Sequence, residues 1–556
     1  MQPASDPEPL VSVRPEPEVT WLARTRKRRK QLEESRRVIQ LAEAQANTTP
    51  PAPERSFWIM VRGSDFTQSK NYERVQARLF AVGEQCAIYV DVESTKDEQL
   101  KNLVDDTIAT FDREVQPAAV RKLGRHRDVD GDGKFAILFT PWLGKLADGG
   151  VSLGGFVRGS DFYSEIEPPL GNRCDMMYLN SALWPGPHLR TLIAHEYTHA
   201  VTLSEHVFGR HLPDRAGQEE ESWLDESLAH VAENMHGYSW SNLDYRISGF
   251  LNAPERYRLV VEDYFEADLW RGHGNRGSTY LFLRWCVDQF GEGILRDLVQ
   301  TNLCGVESVE LATGRPFAEL YRDWSAAMFL SHSGLAARRE DELRFLSPRS
   351  TLNDHLLAGP RYDFLDLSGE TRHVAVVGTS TKYFIAHSPR AEGSRVRVVA
   401  HGDAKLQVTV CRLPANLPRL ELKASRVKAS GPDDGSAHFR LRLTEHNGSP
   451  VTLEHLAWER SAQGTNRSAH HGCCGRILSR DDIAELFGSA TVTASGTLVA
   501  ANLKIESFGA ADLASVLKVS GRDAAGHAVS AWCSLDHRQL ELDRTASNEK
   551  RDDTKR

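Results

Sequence analysis

The chain has 556 residues, 40% of them hydrophobic and 26% charged, with a formal charge of −8. That is an ordinary globular composition, able to bury a sizeable core and, at this length, to divide into about three or four domains. The mild acidity argues against general nucleic-acid binding, no run of about 18 apolar residues predicts a spanning helix, and no apolar leader follows Met1.

Residues 1–54 are of a different kind from the rest. The opening is rich in Pro and Glu, residues 19–46 read as a polar helix with a basic run from Arg24 to Lys30, and residues 47–54 read as a linker. A solvated surface helix or a removable pro-segment suits this stretch better than a contact with anionic lipid or nucleic acid. Residues 57–61, 75–81 and 86–92 carry strand patterns, and a helix is expected from about 97 to 115. Asp128, Asp130 and Asp132 with Gly133 then reproduce the opening of an EF-hand calcium loop. Its twelfth position is Phe139, inside an apolar strand, where calcium wants a bidentate glutamate. A shortened calcium loop therefore competes with a plain Asp/Gly turn. Strands at Phe156 and residues 176–179 lead to the next helix.

That helix is expected over residues 187–206, opened by Pro187. It carries His195-Glu196-Tyr197-Thr198-His199, the pattern H-E-x-x-H. Two histidines four apart on a helix project from one side and can reach a common metal ion, with the glutamate alongside as general base. A catalytic zinc needs a third protein ligand and an open position. Ser222-Trp223-Leu224-Asp225 reads as the start of a second helix, with Asp225 as the capping partner of Ser222. Leu224, Leu228, Val231 and Met235 form its apolar stripe. Glu226, His230 and Glu233 share the opposite face, turned to water or a cleft. Glu226 lies 27 residues after His199, far enough for the second helix to return antiparallel and bring its first turn to the histidines.

His-Glu-Tyr-Thr-His followed by Trp-Leu-Asp-Glu-Ser-Leu-Ala resembles the gluzincin zinc metalloproteases, most nearly the hyicolysin-type bacterial neutral proteases. The resemblance spans roughly residues 56–331. It implies a zincin-type catalytic domain, with His195, His199 and Glu226 as zinc ligands and Glu196 as general base, acting on a protein or peptide substrate. It also implies export, placing the chain outside the cell or at its surface, although no signal peptide is visible. A metzincin continuation fails, because Thr202 and Glu205 stand where glycine and a third histidine belong. Gluzincins bring an oxyanion donor from a later helix, and Tyr280, Arg276, His273 and the nearer His230 are candidates. Tyr280 reads equally well as an amphipathic ring packed between helices. Thermolysin-like relatives place an aspartate four residues after the glutamate ligand; here that residue is His230, with Glu233 a substitute for orienting a ligand histidine.

Residues 254–331 carry helical patterns that complete a catalytic lobe over 55–335. Residues 373–377, 383–387, 396–400 and 406–411 alternate or run apolar at spacings near eleven, which predicts a small β-sandwich over 350–415. A second β-rich domain is expected over 418–542, then a charged tail over 543–556. Eight cysteines are too few for a disulfide scaffold. Cys473 and Cys474, beside His470 and His471, read as a loop, with metal binding or disulfides to Cys411 or Cys533 as alternatives. The fold class is thus α+β: a zincin-type domain followed by β-sandwich-like domains. Two functions fit, a zinc peptidase or a catalytically silent adhesion protein on the same scaffold using its C-terminal β-domains. Glu196 favours the first, since a decayed site has no chemical reason to keep its base.

Overall fold

The structure is a computed structural model that describes residues 49–62, 65–94, 98–145, 153–209, 217–269, 272–367, 373–387, 396–400, 405–427, 437–460, 476–505 and 515–535. The basic helix, the Cys473-Cys474 stretch with His470 and His471, and the charged tail lie outside them. The protein is α+β, and no described helix is long and apolar enough to cross a membrane.

The first lobe is built on six strands: β1 (Glu54–Met60), β2 (Tyr72–Val82), β3 (Cys86–Asp91), β4 (Phe135–Thr140), β5 (Gly155–Phe156) and β6 (Met176–Asn180). They lie in the order β1-β2-β3-β4-β6-β5. The β1-β2-β3 meander is antiparallel, β3-β4 and β4-β6 are parallel, and β5 runs antiparallel along the edge. Parallel strands are buried on both faces, which explains why Phe135 to Phe139 is a continuous apolar run rather than an alternating one. Phe135, Ile137 and Phe139 face the helices, while Ala136 and Leu138 face a smaller core with Phe57, Tyr89 and Tyr178.

Between β3 and β4, helix α1 (Glu98–Thr110) continues through a π turn (Phe111–Val115) into α2 (Gln116–Lys122). After β6 comes α3 (Pro187–Leu203), the H-E-x-x-H helix, extended by a π turn (Ser204–Phe208). Its start needs Gly186, whose φ of 127° excludes a side chain. Thr191, Thr198 and Thr202 are buried, and each hydroxyl donates to the carbonyl four residues back, so their polarity is satisfied within the helix. The helical lobe follows: α4 (Ser222–His236), α5 (Asp244–Asn252), α6 (His273–Phe290), α7 (Gly293–Val299), α8 (Gly305–Thr313) and α9 (Phe317–Leu330). Helix α4 ends on Gly237 in the left-handed region.

The C-terminal half corrects one expectation. Residues 373–377, 396–400 and 405–411 form no strand, and Val396, Val399, Val408 and Val410 are more than half exposed. The expected sandwich over 350–415 is replaced by two short ladders: β7 (Thr351–Leu352) with β8 (His355–Leu356), and β9 (Tyr362–Asp366) parallel to β10 (Tyr383–His387). The apolar residues of β9-β10 pack on Phe329 of α9 and on Trp532 rather than on a second sheet. Beyond it, β11 (Leu420–Arg426), β12 (Ala437–Glu445) and β16 (Thr497–Ile505) form one sheet. β13 (Val451–Arg460), β14 (Ile477–Leu478), β15 (Thr491–Val492), β17 (Ser515–Asp523) and β18 (Ala528–Ser534) form another. Their inward residues share one core, with Ile483 and Phe487 of α10 (Arg480–Phe487) packed into it. This sandwich is tied to the helical lobe by a buried knot, in which Glu459 is ion-paired with Lys518 Nζ at 2.7 Å and accepts from Ser248 Oγ of α5 at 2.5 Å.

Candidate metal centre

Helices α3 and α4 pack antiparallel, since His195 meets Glu233 late in α4 while His199, one turn on, meets Asp225 early in it. His195 Nδ1 lies 2.7 Å from Glu233 Oε1, and His199 Nδ1 lies 2.6 Å from Asp225 Oδ2. An ionised carboxylate only accepts, so both Nδ1 atoms carry their protons and both Nε2 lone pairs point inward. The two Nε2 atoms are 3.1 Å apart. Glu226 Oε2 stands 3.5 Å from His195 Nε2 and makes no hydrogen bond although buried. Its other oxygen, Oε1, accepts from Arg276 Nη2 at 2.6 Å.

Burial, with His199 second, depresses His195 well below its usual value. For His199, burial pushes the same way but Asp225 outweighs it, raising the imidazole to about 10. A proton on His199, or a metal cation in its place, would lie between the two Nε2 atoms. His195, His199 and Glu226 lie close enough to share such an ion. Two imidazoles and one carboxylate suit zinc, so the donor set fits that metal.

Glu196 points beneath the sheet edge, where a side chain on Gly155 of β5 would meet its Cγ. Burial lifts its carboxyl to about 7, with Glu226 adding and His199 opposing. Glu226 itself sits near 2, because Arg276 and the two histidines outweigh its burial.

Several expected roles move. Asp225 is not the capping partner of Ser222: α4 has Glu221 at its N-cap with no side-chain cap bond, and Ser222 Oγ accepts instead from the Tyr264 amide. Asp225 orients His199. The face of α4 bearing His230 and Glu233 is turned not to water but into the protein, both residues being wholly buried against α3. His230 Nδ1 approaches the Glu233 oxygen that holds His195, at 3.0 Å, while its Nε2 makes no hydrogen bond and lies 3.9 Å from Glu226 Oε2. Tyr280 is a core ring, wholly buried and edge-on to Trp240, its hydroxyl without a hydrogen bond. His273 packs against Tyr245. Of the donors considered, Arg276 and His230 both lie on the cluster, Arg276 paired with Glu226 and His230 against His195 and Glu233. Asn242, unanticipated because it lies in a turn with no helical register, completes Glu233 at 2.6 Å.

The aspartate loop is brought together differently. Asp128 and Asp130 join Asp175 of the strand approach, and Asp132 is left out, its Oδ1 accepting from the Lys134 amide. Asp128 closes the turn by accepting from the Gly131 and Gly133 amides, and Arg55 is paired with Asp130.

No family model and no curated protein matches the chain. Among solved structures it is similar to one described as the X-ray structure of Northeast Structural Genomics Consortium target SoR45. The identity is 14%, the match covers 22% of this chain and 89% of that one, and the TM-score is 0.16. A likeness that slight leaves the meaning of the centre to its own chemistry.

Proposed function

We propose that this chain is a zinc-dependent peptidase, with His195, His199 and Glu226 as ligands and Glu196 as general base. The observation that carries the reading is the convergence of three donor atoms on one point, two of them with their tautomers set by carboxylates behind them. A zinc ion bound there would acidify a water and polarise a substrate carbonyl. Glu196, held near 7, is matched to accepting a proton at neutral pH and returning it to the leaving amine. Asp225 and Glu233 keep the ligand rings from turning. Strand β5 is the last strand of the sheet and lies against Glu196, a place where an extended peptide could add to the sheet.

The test is metal analysis of the purified protein combined with casein hydrolysis, with and without chelator, for the wild type and Glu196→Gln. The reading expects stoichiometric zinc in both, and chelator-sensitive cleavage in the wild type alone. Zinc bound without any cleavage would favour a binding protein on this scaffold, and absence of zinc would end both the metal and the peptidase assignments.

A further inference from the structure

The ligand carboxylate has an uncommon neighbour. Arg276, in the first turn of α6, places Nη2 2.6 Å from Glu226 Oε1, and that oxygen is thereby committed while Oε2 stays bare. Both side chains are largely buried, 20% and 13% exposed, so water screens the pair little. The contact is braced from behind. Gly277 lies so close to α5 that a Cβ there would overlap the Arg246 carbonyl, and one on Gly274 would overlap the Tyr257 ring. Helix α6 is therefore seated directly against its neighbours and cannot carry Arg276 away from Glu226 without being unpacked.

We propose that Arg276 is a positioning residue that restricts Glu226 to a single donor oxygen. A carboxylate free to swing can chelate through both oxygens, filling the position that a catalytic zinc must keep open for water and substrate. With Oε1 held by a guanidinium, only Oε2 is left to bind. The arginine is permanently charged, so the restraint does not lapse with pH. It also draws electron density from the carboxylate and sets a positive charge beside the ion. Arg276 therefore weakens metal binding while leaving the metal a stronger electrophile, and it disfavours cations such as calcium that prefer several oxygens.

This inference rests on the peptidase reading, and its consequence is a pair of opposed changes. Arg276→Gln should bind zinc on the order of tenfold more tightly, measured by competition with a chromophoric chelator, while kcat for casein-derived peptide falls and KM moves little. In the cobalt-substituted protein the visible bands should weaken as Glu226 chelates and the coordination number rises. Arg276→Lys, which keeps the charge but not the fork, should fall between the two, and it stands in if the glutamine variant does not fold. General damage to the fold would lower affinity and activity together. Unchanged or weaker zinc binding in these variants overturns the role of Arg276 alone, whereas a wild type that binds no zinc removes this inference and the peptidase reading together.

Discussion

Among the described residues three groups gather three metal-compatible side chains each, two of them at the α3-α4 seam sharing His195 and one in the aspartate loop, and the seam and the loop differ in the kind of donor atom left over. In the aspartate loop, Arg55 is paired with Asp130 and the Asp128 oxygens are occupied by the amides of the turn they close, which leaves one oxygen each of Asp130 and Asp175 without a hydrogen bond, the latter 3.3 Å from His126 Nε2. At the α3-α4 seam, the carboxylates are spent on Nδ1 atoms and on Arg276, and what remains at the centre is two imidazole lone pairs and one bare oxygen. The knot around Glu459 follows the pattern of the loop, with Lys518 as its resident charge. Proximity of ligands is thus a weak indicator of a metal site. Whether their lone pairs are already used discriminates better.

The most damaging test of this contrast is His199→Ala, expected to abolish zinc retention and reduce cleavage to background in the assays above. Glu196→Gln should keep the zinc and lose about 10²- to 10⁴-fold in kcat, the usual worth of a general base. Asp225→Asn should cost about 10- to 100-fold in zinc affinity by equilibrium dialysis, because the amide no longer fixes the His199 tautomer. A capping role, by contrast, would lower the melting temperature and leave affinity intact.

The Glu459 knot sharpens the contrast from the other side, since removing one partner there leaves a buried charge unpaired. Glu459→Gln should destabilise the fold by about 3–5 kcal/mol in denaturant titration without altering zinc content. Burial pushes Glu459 up, but Lys518 and His355 outweigh it and hold the carboxyl below its ordinary value of 4.5. A depressed folded pKa makes this contribution complete above that value and drains it as pH falls toward the folded one. The wild-type melting temperature should therefore drop on acidification below about pH 4.5, with a shallower slope in the variant. The smallest effect is expected at the loop, where millimolar calcium should leave the melting temperature of the chelator-treated protein unmoved. A rise that Asp130→Asn abolishes would make the loop a second metal site and erase the distinction drawn here.

Much of this was readable from spacing. The core strands, the H-E-x-x-H helix and a second helix carrying Glu226 follow from runs and periodicities that local geometry obeys. The readings that shifted are those in which one residue type serves two ends. An aspartate three residues after Ser222 looks like a cap, and only the crossing of α3 over α4 turns Asp225 toward His199. Tyr280 and Arg276 lie four apart on one helix, and sequence alone offers both to the site. Helix α6 buries the first and delivers the second. The valines of residues 396–410 alternate like a strand, yet alternation states only that a residue would suit a covered face, not that a partner strand exists to cover it.

By itself, then, the sequence determined which side chains can share a helix face and which segments suit a strand, because those follow from fixed periods of 3.6 and 2 residues. The tertiary structure decided which lone pairs are left over. That depends on contacts between residues 31 and 50 positions apart, His195 with Glu226 and Arg276 with Glu226, and no local period carries such information.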